Sequence, residues 1–348
     1  EKAIYKRNPD NFYNIVTLAK LAIEEKQNDD AITILNFVLE NTQDADLQMQ
    51  AHYFLLSMEI ELASEKEYPT IDLQLQELLK KYGISPFSIE LQMLTAHFKT
   101  FYLNQSKQGI TLLQNALKLP LNNRDQSKIK MELADIMVYD EKFNQAILYY
   151  AQVEENLKND VLAHEASLKL AKANFYKKDF DWTLQQVKML KQSPSLLIAN
   201  DAVELFLLIQ DNSAEDSLRV ALQAYAKADL QLYQKKTEEA LFSFLTILDK
   251  HKGESIEDET LLKIANIYSL KKEYQKALNY YQNILDNHKD GIYIDEALFF
   301  SAEIYRIYLL DVEKAKPLYE KMVLEHPDSL YYTESRKQYR TLRGDSTL

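Results

Sequence analysis

Three of the six histidines in this chain, His251, His288 and His326, fall 37 and 38 residues apart, and each stands eleven residues after an alanine, namely Ala240, Ala277 and Ala315. Regularly spaced imidazoles are the residue type that could bind zinc. Residues at equivalent positions of stacked helical elements are separated by at least one helix-packing distance, roughly 8–10 Å, whereas zinc holds its ligands at about 2 Å. The histidines are therefore expected to pack in turns, in a slot where Tyr82 and Leu157 stand at the same offset from earlier marker residues, and no metal is expected.

Other chemistry is scarcer still. The chain has no Cys, which removes thiol nucleophiles, disulfides and cysteine-based metal sites. It carries no glycine-rich phosphate loop, no H-E-x-x-H, no G-x-S-x-G and no EF-hand spacing. Neither catalytic residues nor a cofactor are expected, and the protein is predicted to be no enzyme. The acidic run GESIEDE, residues 253–259, precedes a helix start, where carboxylates favour the positive helix end, and is expected to be a solvated turn. The lone Trp182 is expected to pack locally at the start of a helix.

With 41 Lys and Arg against 53 Asp and Glu, the net charge of −12 repels phosphate backbones, so no nucleic-acid partner is expected. No apolar run approaches the roughly 20 residues of a bilayer span, so no direct membrane span is expected. The 5 Gly and 7 Pro in 348 residues are too few for a many-turned β fold. Because the first residue is Glu1 rather than Met, a mature or trimmed form is expected, so that the absence of an export signal or lipid anchor carries no information.

The elements that would position any site show themselves as a repeat. KKEYQKALNYYQNIL at 271–285 echoes KFNQAILYYAQV at 142–153. One ladder of compact residues runs Ala31, Ile71, Gly109, Ala146, Thr183, Ala240, Ala277 and Ala315; a second, twelve to fourteen residues upstream, runs Ala19, Ser57, Ala96, Ala134, Ala171, Ala228, Ala265 and Ala302. Between rungs the apolar spacing is helical: Leu262, Ile264, Ala265 and Tyr268 form one stripe, and Ala277, Leu278, Tyr281, Ile284 and Leu285 another. Two ladders mean two helices per unit, with small residues at the crossing so that the backbones can approach. One hairpin cannot bury its face alone, so the unit recurs.

The order small residue, aromatic, turn, aromatic, Ala, aromatic resembles the tetratricopeptide repeat (TPR), most clearly in Ala302, Tyr305, Ala315, Tyr319 and Pro327, and in Ala265, Tyr268, Tyr274, Ala277 and Tyr281. The resemblance implies an all-α fold, an α-solenoid superhelix of about eight TPR-like helical hairpins. The period here is 37–38 residues rather than the usual 34 or so, and one step of 57 residues leaves room for an extra helix near 196–212. One solenoid over 1–348 is expected, with weaker repeats at 10–126, clear repeats at 127–192, the inserted helix within 193–212, clear repeats at 213–330 and a capping helix at 331–343. The insertion ASEKEYP disturbs the second unit, and YLLDVEK carries one extra residue in the last turn. Arg336, Lys337, Arg340 and Arg343 on the capping helix solvate an open end or form a patch for an anionic partner.

The resemblance also implies a ligand surface on the face formed by the first helix of each pair. With each small rung of that helix counted as position eight, positions two, five, nine and twelve supply the candidate groove: Lys128, Met131, Asp135, Leu168, Lys172, Phe175, Tyr225, Asp229, Leu262, Asn266, Phe299, Glu303 and Arg306. An apolar centre with charged edges suits a protein or peptide partner with apolar anchors and basic character. Alternatively, the chain's own helix at 193–212 fills part of this face. The expected function is a non-enzymatic interaction scaffold or adaptor. Two other readings are a subunit of a bacterial cell-envelope assembly or secretion complex, and a glycan or small-ligand binder. The composition is similar in style to exported TPR proteins of Bacteroidota, which favours the periplasm or outer membrane over the cytoplasm. The sequence leaves the oligomeric state open.

Overall fold

The computed structural model describes residues 12–345 except 194, 214–217 and 290. Residues 10 and 11 of the first predicted repeat block, residue 194 of the predicted inserted segment, and 214–217 and 290 of the last block lie outside the described residues. The described elements are helical, and no strand occurs among them.

Two compact units are present, one built on the helices up to Lys177 together with Gln192–Ala199, the other on Lys178–Lys191 together with the helices from Asn200 onward. In the first unit, α1 (Phe12–Glu24) pairs with α2 (Asn28–Asn41), α3 (Ala45–Leu62) with α4 (Tyr68–Tyr82), α5 (Ile89–Phe101) with α6 (Ser106–Ala116), and α7 (Asn123–Tyr139) with α8 (Phe143–Asn156). Helix α9 (Val161–Tyr176) then packs on α8. The second unit contains α10 (Phe180–Leu190) and most of the inserted helix α11 (Leu196–Asp211). Its three pairs are α12 (Val220–Tyr233) with α13 (Thr237–Lys250), α14 (Glu257–Leu270) with α15 (Tyr274–Asn287), and α16 (Ile294–Glu303) with α17 (Val312–Glu325). Helix α18 (Tyr332–Arg343) closes the chain against α17.

The ladders are where the core is closest-packed. Ala19, Ala96, Ala134, Ala171, Ala228, Ala265 and Ala302 have no exposed surface, and neither do Ala31, Ile71, Ala146, Thr183, Ala240, Ala277 and Ala315. Gly109 shows why the rungs are small: a Cβ there would stand 2.8 Å from the carbonyl oxygen of Ala96, the rung on the partner helix. Ser57 departs from the pattern. It is half-buried, while Ala51, Leu56, Met58 and Ile60 of the same helix are buried. The inserted turn that follows this helix closes through the Ser64 amide and hydroxyl, both donating to Glu67 Oε2 at 2.8 Å.

Most other pairs turn through one left-handed residue: Lys26, Glu141, Lys235 and Lys272 have φ of 59°, 59°, 62° and 61°. The following amide then reaches back six residues in the chain, counted inclusively, as in Lys142 N to Met137 O (2.8 Å) and Glu273 N to Tyr268 O (2.9 Å), which satisfies the carbonyls at the helix end. In the last pair the extra residue is absorbed by a π-helical turn, Ile304–Tyr308, where Leu309 N donates to Ile304 O at 3.0 Å.

The sequence of α11 is apolar almost all round, yet one stripe is covered, with Ala202, Leu205, Leu208 and Ile209 buried and Val203 exposed. Phe206 is capped by Lys191, whose Nζ lies 3.0 Å from the ring centroid.

Candidate partner-binding groove

In the first unit, the position-two and position-six side chains of α5, α7 and α9, with positions five and nine of α5 and α7, line a common concavity of about 480 Å3, as does Tyr53 of α3. Met93, Leu94, Met131 and Leu162 supply apolar surface. Ion pairs cross from hairpin to hairpin around it: Lys128 to Glu90 at 2.5 Å, His97 Nδ1 to Glu132 at 3.0 Å, and Lys169 to Asp135 at 2.8 Å. Lys169 also reaches Glu165 at 3.3 Å. Burial works against the Lys169 charge, but Asp135, Glu165 and Glu132 outweigh it and hold the ammonium charged. Tyr150 of α8 donates to the other oxygen of Asp135 at 2.5 Å, so that carboxylate joins its own hairpin and the next. Burial, and Glu90 next to it, push the Tyr53 phenol up, so it stays neutral.

Of the sequence-derived candidates in this unit, Lys128, Met131 and Asp135 line the concavity together. Leu168 and Phe175 of α9 are buried, and Lys172 is half-buried. Position six, where Leu94, Glu132 and Lys169 stand, lies outside the sequence-derived set, as do the third hairpin's Glu90, Met93 and His97. A signal for them is present in the sequence: His97 to Glu132 and Asp135 to Lys169 are spaced 35 and 34 residues apart, each running from position nine of one first helix to position six of the next.

The corresponding face of the second unit carries the chain's own helix. Glu204 of α11 lies within electrostatic reach of Tyr225 on α12, Lys263 on α14 and Glu296 on α16, as well as Tyr293 and Tyr331. Asn212, just past α11, donates to Glu259 at 3.4 Å, and Ser255 donates to the Asp211 carbonyl at 3.1 Å. Tyr225 and Leu262 are buried, and Asp229 pairs with Lys263 at 3.4 Å. Asn266 accepts from Tyr281 at 2.5 Å, and Phe299 stacks on Tyr331 with centroids 4.5 Å apart. Glu303 accepts both from Tyr319 and, at 2.9 Å, from Arg306, whose Nε donates to Tyr319 Oη at 3.0 Å. Asp135, Asn266 and Glu303 thus play one role, each standing one residue after a buried alanine and accepting from the tyrosine of its own second helix.

Two of the three spaced histidines engage carboxylates: His251 lies 3.0 Å from Glu254 and His326 lies 2.7 Å from Asp295. Among the described residues no three His, Cys, Asp or Glu are grouped so as to hold a metal ion. Also among them, no helix is long and apolar enough to cross a membrane. Trp182 is half-exposed.

No protein-family profile matches the chain, and no curated protein does. Among solved structures it is similar to the TPR domain of P58(IPK), at 14% identity over 99% of this chain and 91% of that one, with a TM-score of 0.30. It is also similar to a Rap protein complexed with competence and sporulation factor, at 13% identity over 96% and 97% of the two chains and a TM-score of 0.38. A third is the quorum sensor NprR from B. thuringiensis, at 12% identity over 96% and 98% and a TM-score of 0.41. Scores of this size carry no functional argument, which rests on the concavity itself.

Proposed function

We propose that the chain is a non-enzymatic interaction module whose first unit receives a polypeptide segment in the concavity between α5, α7 and α9. The observation that carries this reading is the lining: apolar Met93, Leu94, Met131 and Leu162 inside a frame of inter-hairpin ion pairs. Four carboxylates, Glu90, Glu132, Asp135 and Glu165, stand there against two lysines, Lys128 and Lys169, and one histidine, His97. That balance suits a segment with apolar anchors and basic side chains. The carboxylates are spent on ion pairs along the groove instead of converging as an acid and a base, which supports binding over hydrolysis.

A photo-reactive residue placed at Met93 of the full chain, with a second at the exposed Thr111 as control, tests the reading in cells. Partner adducts concentrated at Met93 and lost on Leu94→Arg are expected. Equal labelling at the two positions removes the groove from consideration.

A further inference from the structure

The acidic run at 253–259, expected from sequence to be a solvated turn, lines a pocket of about 410 Å3 in the second unit. Its wall includes Asp211, Glu254, Glu257, Asp258, Glu259 and His288. Several of these carboxylates have work within the chain. Glu254 pairs with His251 at 3.0 Å, Glu257 accepts from the Gly253 amide at 2.8 Å, and Asp258 accepts from the Glu259 amide at 2.9 Å. Glu259 stands apart. It is 4% exposed, its Oε1 accepts only a long bond from Asn212, and its buried Oε2 meets no donor from the protein. A buried carboxylate oxygen without a donor is costly enough to demand an occupant.

Two occupants can meet Oε2: a proton shared with Asp258, or an N–H donor from outside the chain. Burial, with Asp258 next to it, pushes the Glu259 carboxyl far above the usual carboxylate range, so the first occupant is held at neutral pH. The surrounding groups reinforce that. Tyr225 of α12 and the Tyr293 that precedes α16 face Glu259 as neutral phenols, and among these wall residues His288 is the one side chain with basic character. A metal ion does not fit, since among the described residues no three His, Cys, Asp or Glu are grouped so as to hold one. A cation that brings several N–H donors on an extended frame does fit, because it offers bonds to Oε2 and spreads its charge toward the rim.

We propose that this pocket binds a primary ammonium or guanidinium group, whose N–H donors meet Glu259 Oε2 once the carboxyl turns toward the pocket, while Asp211, Glu254 and Glu257 stand around its charge. Glu259 releases its proton to solvent as the cation enters, so one positive charge replaces another. The group belongs either to a free polyamine or to a Lys or Arg side chain of a bound polypeptide. The site lies in the second unit and stands whether or not the groove of the first unit binds a partner.

Calorimetric titration of the full chain with agmatine, and separately with an end-blocked Arg- and Lys-rich peptide, tests the site. Buffers of different ionisation enthalpy count the protons. Saturable binding with about one proton released is expected, tightening by up to about tenfold per pH unit between pH 6 and 8. Glu259→Gln should weaken it roughly ten- to a hundredfold and abolish proton release. Asp211→Asn, at an exposed rim position, should weaken it several-fold with the helical circular dichroism unchanged, which keeps the test valid if Glu259→Gln disturbs folding. Binding of agmatine assigns a free polyamine, and binding of the peptide alone assigns a partner side chain. Absence of saturable binding of either at millimolar concentration, or binding unaffected by both substitutions, means that a shared proton alone satisfies Glu259 and overturns the proposal.

Discussion

Asp135 on α7 and Lys169 on α9 stand 2.8 Å apart across the junction of two hairpins, and the same relation joins Asp229 to Lys263 at 3.4 Å. With acid and base exchanged it joins His97 to Glu132. Each pair locks one first helix onto the next at a fixed offset, so the stacking register of the hairpins is written in polar contacts as well as in apolar burial.

Breaking the first of these pairs from the acid side should cost more than removing it whole. Asp135→Ala leaves Lys169 half-buried without its nearest carboxylate and Tyr150 without its acceptor, a loss of about 2–4 kcal/mol. The double variant Asp135→Ala, Lys169→Met should recover part of that. Urea denaturation of the four members of the cycle gives the coupling directly, and simple additivity would show that the pair contributes nothing to register.

Gly109 permits the α5–α6 crossing. Gly109→Val places carbon against the Ala96 carbonyl and the Thr100 hydroxyl, each 2.8 Å from where a Cβ would stand, and should destabilise the first unit by about 1–3 kcal/mol. Gly109→Ala should fall between Val and wild type. A melting temperature unchanged by Val would mean that the helices separate there at no cost.

The Glu296 carboxyl is pushed up to about 7, chiefly by burial, with Asp295 and Glu204 adding to it. Because the folded value lies above the ordinary 4.5, the contribution to stability is fully present at low pH and is lost as pH rises through about 7. Glu296→Gln should therefore be close to neutral at pH 5 and more stable than wild type at pH 8, by about 1–3 kcal/mol. Melting curves at the two pH values check this, and an equal effect at both would remove Glu296 as the titrating group.

Leu310 holds φ at 53° with its side chain exposed, in the last hairpin turn. Leu310→Gly relieves the left-handed strain and should be neutral to stabilising by up to about 1 kcal/mol, whereas the β-branched Leu310→Val should destabilise. Thermal denaturation ranks the three, and the reverse order would show that the leucine side chain is held by packing.

How much of the candidate groove is legible in the letters depends on the kind of interaction. Lys128, Met131 and Asp135 follow from counting from a buried alanine, because helical phase alone decides which side chains share a face. Glu132 and Lys169 escape that count, because position six belongs to the groove only when the neighbouring hairpin brings position nine beside it. Ser57 has the spacing of a ladder rung but is half-buried, and the inserted turn that follows it, closed by Ser64 and Glu67, is held by contacts that leave no periodic trace.

By itself the sequence determined the helices, their pairing and, Ser57 apart, the rungs where they cross, because a face that one hairpin cannot bury must recur at a fixed period to be buried by the next. Only the tertiary structure decided which polar residues meet across hairpins and that α11 lies against the first helices of the second unit. It also left one oxygen of Glu259 without a donor. Those outcomes depend on side chains 30 or more residues apart arriving within a few ångströms of one another, and stacking register, rather than periodicity, sets that distance.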